Sequence, residues 1–271
     1  MKKILLCLFL LSNAIFANIE DFKVGTWNLQ GASAGTESKW NVSVRQLISG
    51  ENAVDILLVQ EAGNLPQSAT PTGRVIQPGG TPIAEYTWNL GSISRPNNVF
   101  IYYSNIDVGA RRVNLAIVSR QQAEEVFVIN QTTITTGFTR PAIGIRIGNS
   151  AFFNVHALAR GGNDAPALVT AVHDHFNGRP EITWLIGGDF NRNPAELQAG
   201  LDRRVLNNIR ILDPRIPTHS GGRTLDYALI GNTPTQGGAL GPLPALVALL
   251  MNAALKSYLA SDHFPVRFGK F

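Results

Sequence analysis

Ile182-Thr183-Trp184-Leu185-Ile186-Gly187-Gly188-Asp189-Phe190-Asn191 decides how this chain is to be read. An almost unbroken apolar run suits a central strand covered on both faces. Gly187 and Gly188 then leave room for a substrate or another backbone to come close. Asp189 and Asn191, at i and i+2 of an extended chain, project to one face. In open α/β sheets, ligands sit beyond strand ends. An Asx turn closing a strand would use the same residues, so the stretch is weighed with others like it.

The others are there. Phe22-Lys23-Val24 leads to Thr26-Trp27-Asn28, and Ile56-Leu57-Leu58-Val59 leads to Gln60-Glu61. Phe152-Phe153-Asn154-Val155 ends in His156, and Ser261-Asp262-His263-Phe264-Pro265 stands near the end of the chain. Each places an acid, amide or imidazole at a strand-like run, as an α/β sandwich does when it assembles one metal-dependent phosphoesterase site from distant segments. The carboxylate of Asp262 suits a hard divalent cation, and the imidazole of His263 suits proton transfer near neutral pH. Asp226, inside the apolar run 224–230, needs a partner to offset its desolvation; pairing with a histidine would orient the ring and raise its basicity. Glu61 is either a ligand or a helix-start acid. His156 alone would read as a satisfied core histidine; beside the other motifs it reads as functional.

The remaining histidines read as structural. His173 and His175 are two apart on an expected helix and do not share a face, and His219 falls in a Thr-His-Ser-Gly-Gly loop. A zinc site is not expected, with no H-E-x-x-H and no cysteine beyond Cys7. Gly31-Ala32-Ser33-Ala34-Gly35 is a literal G-x-S-x-G, and Asp226 and His263 follow in the order of an α/β-hydrolase triad. It follows the first strand rather than several, Gln30-Gly31 leaves slack where an elbow must be tight, and no HGGG-type loop appears. The serine-hydrolase reading is therefore set aside.

Strands are expected over 22–29, 55–60, 99–104, 114–119, 126–129, 143–147, 151–156, 182–188, 224–230 and 265–268. Trp40, Val44, Leu47 and Ile48 form one helical stripe over 37–48; Leu168, Val169, Val172 and Phe176 form another over 165–176. Asn193-Pro194 is an N-cap with a first-turn proline. Residues 244–259 read as an apolar helix packed on the protein, too short at about 16 residues to span a bilayer. No linker divides the chain, so one domain over 18–271 is expected.

Composition sets the surroundings. With 271 residues, 44% of them hydrophobic, the chain can bury a sizeable core. Residues 1–17 read as a secretory signal: Lys2 and Lys3, an apolar stretch Ile4 to Leu11, and a small residue at Ala17. Cys7 lies within them, so the mature chain has neither disulfide nor thiolate chemistry. The formal charge of +4 falls to +2 without the two lysines, which is compatible with a polyanionic substrate.

Taken together, Trp27-Asn28, Gln60-Glu61, His156, Gly188-Asp189-Phe190-Asn191, Leu225-Asp226-Tyr227 and Ser261-Asp262-His263-Phe264-Pro265 resemble the endonuclease/exonuclease/phosphatase superfamily, typified by deoxyribonuclease I. Thr26 to Gly31, Glu37-Ser38-Lys39-Trp40, Arg112 to Ala116 and Asp189 to Arg192 are further similar to the B subunits of bacterial cytolethal distending toxins. The resemblance implies an α/β four-layer sandwich of two packed mixed β-sheets flanked by helices. It implies a Mg²⁺-dependent endonuclease (Mn²⁺ or Ca²⁺ in support) that is exported, travels with two lectin-like subunits and cuts host nuclear DNA. A phosphatidylinositol-3,4,5-trisphosphate phosphatase activity on the same site is the alternative. Glu61 would hold the metal with Asn28 and Asp262 near it, and His263, oriented by Asp226, would take a proton from water. His156 would bind phosphate or protonate the leaving oxygen, and Asp189 and Asn191 would position the nucleophile and phosphoryl oxygens. Arg112 and Arg140 would grip phosphate. One departure stands out: where some nucleases of the superfamily carry a glutamate for the first histidine, this chain has Arg95-Pro96-Asn97-Asn98, so His156 is expected to lack a carboxylate partner and DNA cleavage to be weaker.

Overall fold

The computed structural model describes residues 18–31, 36–50, 52–76, 82–106, 113–131, 140–234, 242–251 and 261–270. The expected signal 1–17, Ser33, Arg112 and the end of the expected 244–259 helix lie outside them. Fourteen strands are described: β1 Val24–Asn28, β2 Ile56–Gln60, β3 Ala69–Ile76, β4 Ile83–Asn89, β5 Asn98–Ser104, β6 Leu115–Ser119, β7 Glu125–Ile129, β8 Ala142–Ile147, β9 Ser150–His156, β10 Thr183–Asp189, β11 Ile209–Leu212, β12 Asp226–Asn232, β13 Val247–Leu250 and β14 Val266–Gly269. They form an eight-stranded sheet, ordered β13-β14-β1-β2-β6-β5-β4-β3, and a six-stranded sheet, ordered β11-β12-β10-β9-β8-β7. Both are mixed, because β1 and β2 are parallel, as are β9 and β10, and the other neighbours are antiparallel.

The sheets pack face to face, as period-2 alternation requires. Ile56 and Leu58 of β2 enter the core between the sheets with Phe152 of β9 and Leu185 of β10, while Leu57 and Val59 face outward. The outward face of the larger sheet is covered by a helix over 36–49, whose Trp40, Val44, Leu47 and Ile48 are the expected stripe. It runs as α1 Thr36–Ser38, a π segment Lys39–Val44 and α2 Arg45–Ser49. The outward face of the smaller sheet is covered by α3 Ala165–His175 and α4 Pro194–Gly200, with Leu168, Val172 and Leu197 against Phe153, Trp184 and Ile186. Asn193 and Glu196 close a capping box at the start of α4, and a one-turn α5, Arg203–Leu206, follows. The four-layer sandwich is thus present.

Residues 247–250 depart from expectation. They form strand β13, paired with β14, in place of the start of a helix. Val247 and Leu249 are exposed while Ala248 and Leu250 pack against the core; that two-residue alternation, with partner hydrogen bonds, outweighs the local helix propensity. Strands β3, β4 and β11 were also not expected. β3 and β11 are largely polar or half exposed, and lie on sheet edges, where the apolar signal is weakest.

A polar clamp crosses the inter-sheet core. The Asn154 amide of β9 donates to the carbonyls of Val59 (2.8 Å) and Ala116 (2.9 Å), and its oxygen accepts from Gln60 Nε2 at 2.6 Å. Gln60 Nε2 donates in turn to the Thr26 hydroxyl at 3.0 Å. Every group in this clamp is buried, so it fixes how the two sheets slide on one another.

Candidate functional site

The inward-facing stripe of each central strand changes from apolar to polar at one end. Val24, Thr26, Asn28 on β1; Ile56, Leu58, Gln60 on β2; Phe152, Asn154, His156 on β9; and Leu185, Gly187, Asp189 on β10 share this parity. Asn28 pairs with Gln60 across the first sheet and Asp189 with both His156 and Asp226 across the second. The polar ends therefore meet at one rim of the sandwich.

Glu61, one residue past the stripe, turns into the same rim through a left-handed backbone (φ 46°). Gln30 (47°) and Asn191 (50°) share that conformation beside it. Such angles cost energy for residues other than glycine and gather at functional sites. Gly31 holds this one: its N–H donates to the Glu61 carbonyl at 2.7 Å, and a Cβ on Gly31 would overlap that same carbonyl oxygen. Gly188 is equally constrained, since a Cβ there would overlap the Val155 carbonyl.

The Asn28 amide nitrogen donates to Glu61 Oε1 (3.3 Å) and to Asp189 Oδ2 (3.1 Å), and its oxygen accepts the Gln30 N–H. His156 Nε2 lies 3.6 Å from Asp189 Oδ2 and 3.8 Å from Glu61 Oε1. His263 Nδ1 bonds Asp226 Oδ2 at 2.8 Å, and its Nε2 faces Asp189 Oδ2 and Asp262 Oδ1, each at 3.7 Å. Trp27 Nε1 donates to the His263 carbonyl. The Asn191 amide donates to the Ala157 carbonyl and to Asp189. Arg140 lies across the end of β9, donating to the carbonyls of His156 and Ala157. Asn28, Glu61, Arg140, His156, Asp189, Asn191, Asp226, Asp262 and His263 thus converge on one rim, though they span some 235 positions of chain.

The charge balance is acidic at the centre. Burial, then the neighbouring Asp226, pushes Asp189 up to about 7 against the opposing pull of His263. Burial would lower His263, but Asp226 outweighs it, with Asp189 and Asp262 adding, and raises the imidazole to about 9. Burial raises Glu61, against the Asn28 hydrogen bond. His156 is held well below its ordinary value by burial, then by Arg140 and His263, and so is neutral. Its Nδ1 has no hydrogen-bond partner among the described residues.

The raised His263 has a consequence for stability. The protein carries its full contribution below pH ~6.5, where the unfolded histidine is also protonated, and loses it as the pH rises through 9. Asp189 acts in the same direction at lower pH, since its pKa too is raised. For the cation-free chain, the His263 contribution is on the order of 2–3 kcal/mol. Thermal unfolding at pH 9.5 should therefore fall roughly 5–10 °C below that at pH 6.5, and most of this difference should vanish in His263→Asn. Equal drops in both chains would refute the linkage.

The donor set fits a hard divalent cation. Glu61 and Asp262 offer carboxylate oxygens, and Asp262 Oδ1 is buried without a hydrogen-bond partner among the described residues, as expected of an atom that awaits a ligand. Sequence reasoning overlooked two neighbours. Lys39 is buried, donates to the carbonyls of Leu29 and Gln30, and interacts electrostatically with Glu61 and Asp262. His219, expected to be structural in a remote loop, instead pairs its backbone with His263 and stands 3.3 Å from Asp262. Its only sequence signal was the Thr-His preceding the Asp226 strand; nothing local reveals a bridge across 44 residues. His173 is structural, bonded to Asp174 and Asn208, and His175 packs edge-on to Phe127 and Phe176.

Comparison with known proteins gives a consistent picture. The profile of the Endonuclease/Exonuclease/phosphatase family matches residues 25–263. The B subunit of the Escherichia coli cytolethal distending toxin is 49% identical over 98% of each chain. The homolog of that subunit in Salmonella typhi is 52% identical over 93% of this chain and 90% of that one. Among solved structures, the Haemophilus ducreyi cytolethal distending toxin superposes with a TM-score of 0.86 at 53% identity, covering 93% of this chain and 99% of the other.

Proposed function

This chain belongs to the endonuclease/exonuclease/phosphatase family and, within it, to the cytolethal distending toxin B subunits, and from that membership we propose that it is a Mg²⁺-dependent endonuclease that hydrolyses phosphodiester bonds of host DNA. In this reading it is exported by way of residues 1–17, acts with two lectin-like subunits, and works in the host nucleus. The observation that carries the chemistry is the relay Asp226–His263–Asp189–His156, flanked by Glu61 and Asp262.

The physical task is to bring a nucleophile to an anion. Glu61 and Asp262, with Asn28 orienting the first, would hold a divalent cation, whose charge would stabilise the phosphoryl oxygens and offset the carboxylates that raise His263. Asp226 holds His263 Nδ1–H, so Nε2 is the atom that exchanges a proton with the attacking water. Asp189, pushed up to about 7, faces that atom at 3.7 Å and titrates together with it. Asn191, fixed by the Ala157 carbonyl, orients the bound ester. Neutral His156 donates to the phosphoryl or leaving oxygen, and Arg140 adds positive charge nearby; Arg112, outside the described residues, is proposed to grip phosphate as well.

The test is nicking of supercoiled plasmid by the purified mature chain. Relaxation that needs Mg²⁺ and stops with EDTA is expected; relaxation indifferent to EDTA would overturn the proposal. The Nδ1 of His156, without a hydrogen-bond partner among the described residues, favours a second reading, a 3,4,5-trisphosphate phosphoinositide phosphatase on the same residues, because a ring with no acceptor for that nitrogen makes a weaker nuclease. Turnover of plasmid and of the lipid, measured side by side, separates the two.

A further inference from the structure

His219, Asp262 and His263 bring three candidate ligand atoms within 4.8 Å of one another, which at first sight is a second metal site. The hydrogen bonding of His219 argues otherwise. The Gly221 N–H donates to His219 Nδ1 at 2.9 Å, so Nδ1 must present a lone pair and the neutral ring carries its proton on Nε2. A histidine that binds a metal through Nε2 needs the reverse, a proton on Nδ1 given to an acceptor. His219 Nε2 therefore carries the proton, and it stands 3.3 Å from Asp262 Oδ2, within range to attract that oxygen.

We propose that His219 is a positioning residue: its Nε2–H attracts one oxygen of Asp262 and thereby turns the other, Oδ1, into the site. This rests on the reading above that Asp262 helps to hold a cation. Asp262 Oδ1 is buried, has no hydrogen-bond partner among the described residues, and lies 3.7 Å from His263 Nε2. The two loops are laced together independently of the side chains. Ser220 N–H donates to the Asp262 carbonyl at 2.8 Å, and Phe264 N–H to the Thr218 carbonyl at 2.7 Å. His219 and His263 pair across this bridge, with rings edge to face at 4.8 Å.

The neighbouring residue completes the device. The Thr218 hydroxyl donates to Asp226 Oδ2 at 2.9 Å and accepts the N–H groups of Leu225 and Asp226. Adjacent residues of an extended segment point to opposite sides. Thr218 thus reaches the buried carboxylate of the His263 pair, and His219 the partly exposed carboxylate at the rim. One dipeptide orients the two acids that flank the same imidazole.

The test compares the wild-type chain with His219→Phe, which keeps a packed ring but no donor, and His219→Gln, whose amide nitrogen can reach the position of Nε2. Binding of Mn²⁺ to the metal-free chains is followed by electron paramagnetic resonance, and the His219 tautomer by long-range proton–nitrogen NMR. An Nε2–H tautomer is expected. The Mn²⁺ dissociation constant should rise roughly tenfold or more in His219→Phe and return to within about threefold of wild type in His219→Gln, with all three chains melting alike. An Nδ1–H tautomer, or unchanged Mn²⁺ binding by His219→Phe, overturns the proposal. A wild-type chain that binds no Mn²⁺ removes the cation reading itself, whereas normal wild-type binding with an unaffected His219→Phe removes the role of His219 alone.

Discussion

His263→Asn should lower plasmid nicking by about a thousandfold or more while the chain stays folded. General acid–base catalysis by a positioned imidazole contributes roughly 10²–10⁴-fold, and this imidazole is also the group through which Asp226 and Asp189 act. Asparagine is the informative replacement. Asp226 is fully buried and bonds His263 at 2.8 Å. Alanine would leave that carboxylate with Thr218 as its remaining side-chain donor and mix a folding defect with a catalytic one. The asparagine amide can still donate to Asp226, but offers no atom that exchanges a proton near neutral pH. The measurement is supercoil relaxation at saturating Mg²⁺, with circular dichroism as the folding control. A rate within tenfold of wild type would show that the proton moves elsewhere, with Asp189 the first candidate.

Asn154→Leu should cost stability on the order of 3 kcal/mol while sparing the catalytic groups. The shapes are similar, so packing is nearly conserved. What is lost is the link between the sheets: two donations to the carbonyls of Val59 and Ala116, and the acceptor for Gln60 Nε2. Gln60 keeps its bonds to Thr26 and to the Leu58 carbonyl but meets an apolar methyl where its shortest acceptor stood. His156 stands two residues further along the same face of β9, so its distance to Glu61 on the other sheet depends on this clamp. Denaturant unfolding measures the first effect and residual nicking by the folded fraction the second. A midpoint shift corresponding to less than about 1 kcal/mol would mean that apolar packing alone sets the sheet register.

Much of the fold was legible because each central strand carries its own signature. An apolar run ending in Gly-Gly-Asp-Phe-Asn needs no partner to be recognised as a strand that stops at a polar rim, and the same holds for the runs before Asn28, Glu61 and His156. Strands β3 and β11 carry no such run, because edge strands are covered on one side at most. Residues 247–250 misled for a related reason. Ala, Leu and Val satisfy a helix and a strand equally when the pattern is short, and only pairing with β14 resolved it.

The site divides along the same line. Residue chemistry alone singled out the acids and imidazoles, because a carboxylate or histidine inside an apolar run must have a partner to be there at all. Parity also put Asp189 and Asn191 on one face, since side-chain direction has period 2 in any extended chain. Tertiary structure decided the rest. Which imidazole was raised and which lowered depended on burial and on through-space neighbours: burial outweighed by Asp226 at His263, and burial reinforced by Arg140 at His156. The place of His219 depended on a loop bridge that local sequence does not encode, and that of Lys39 on where an expected helix packs. Electrostatic coupling and backbone bridging act over distance in space, and a linear chain records only distance along itself.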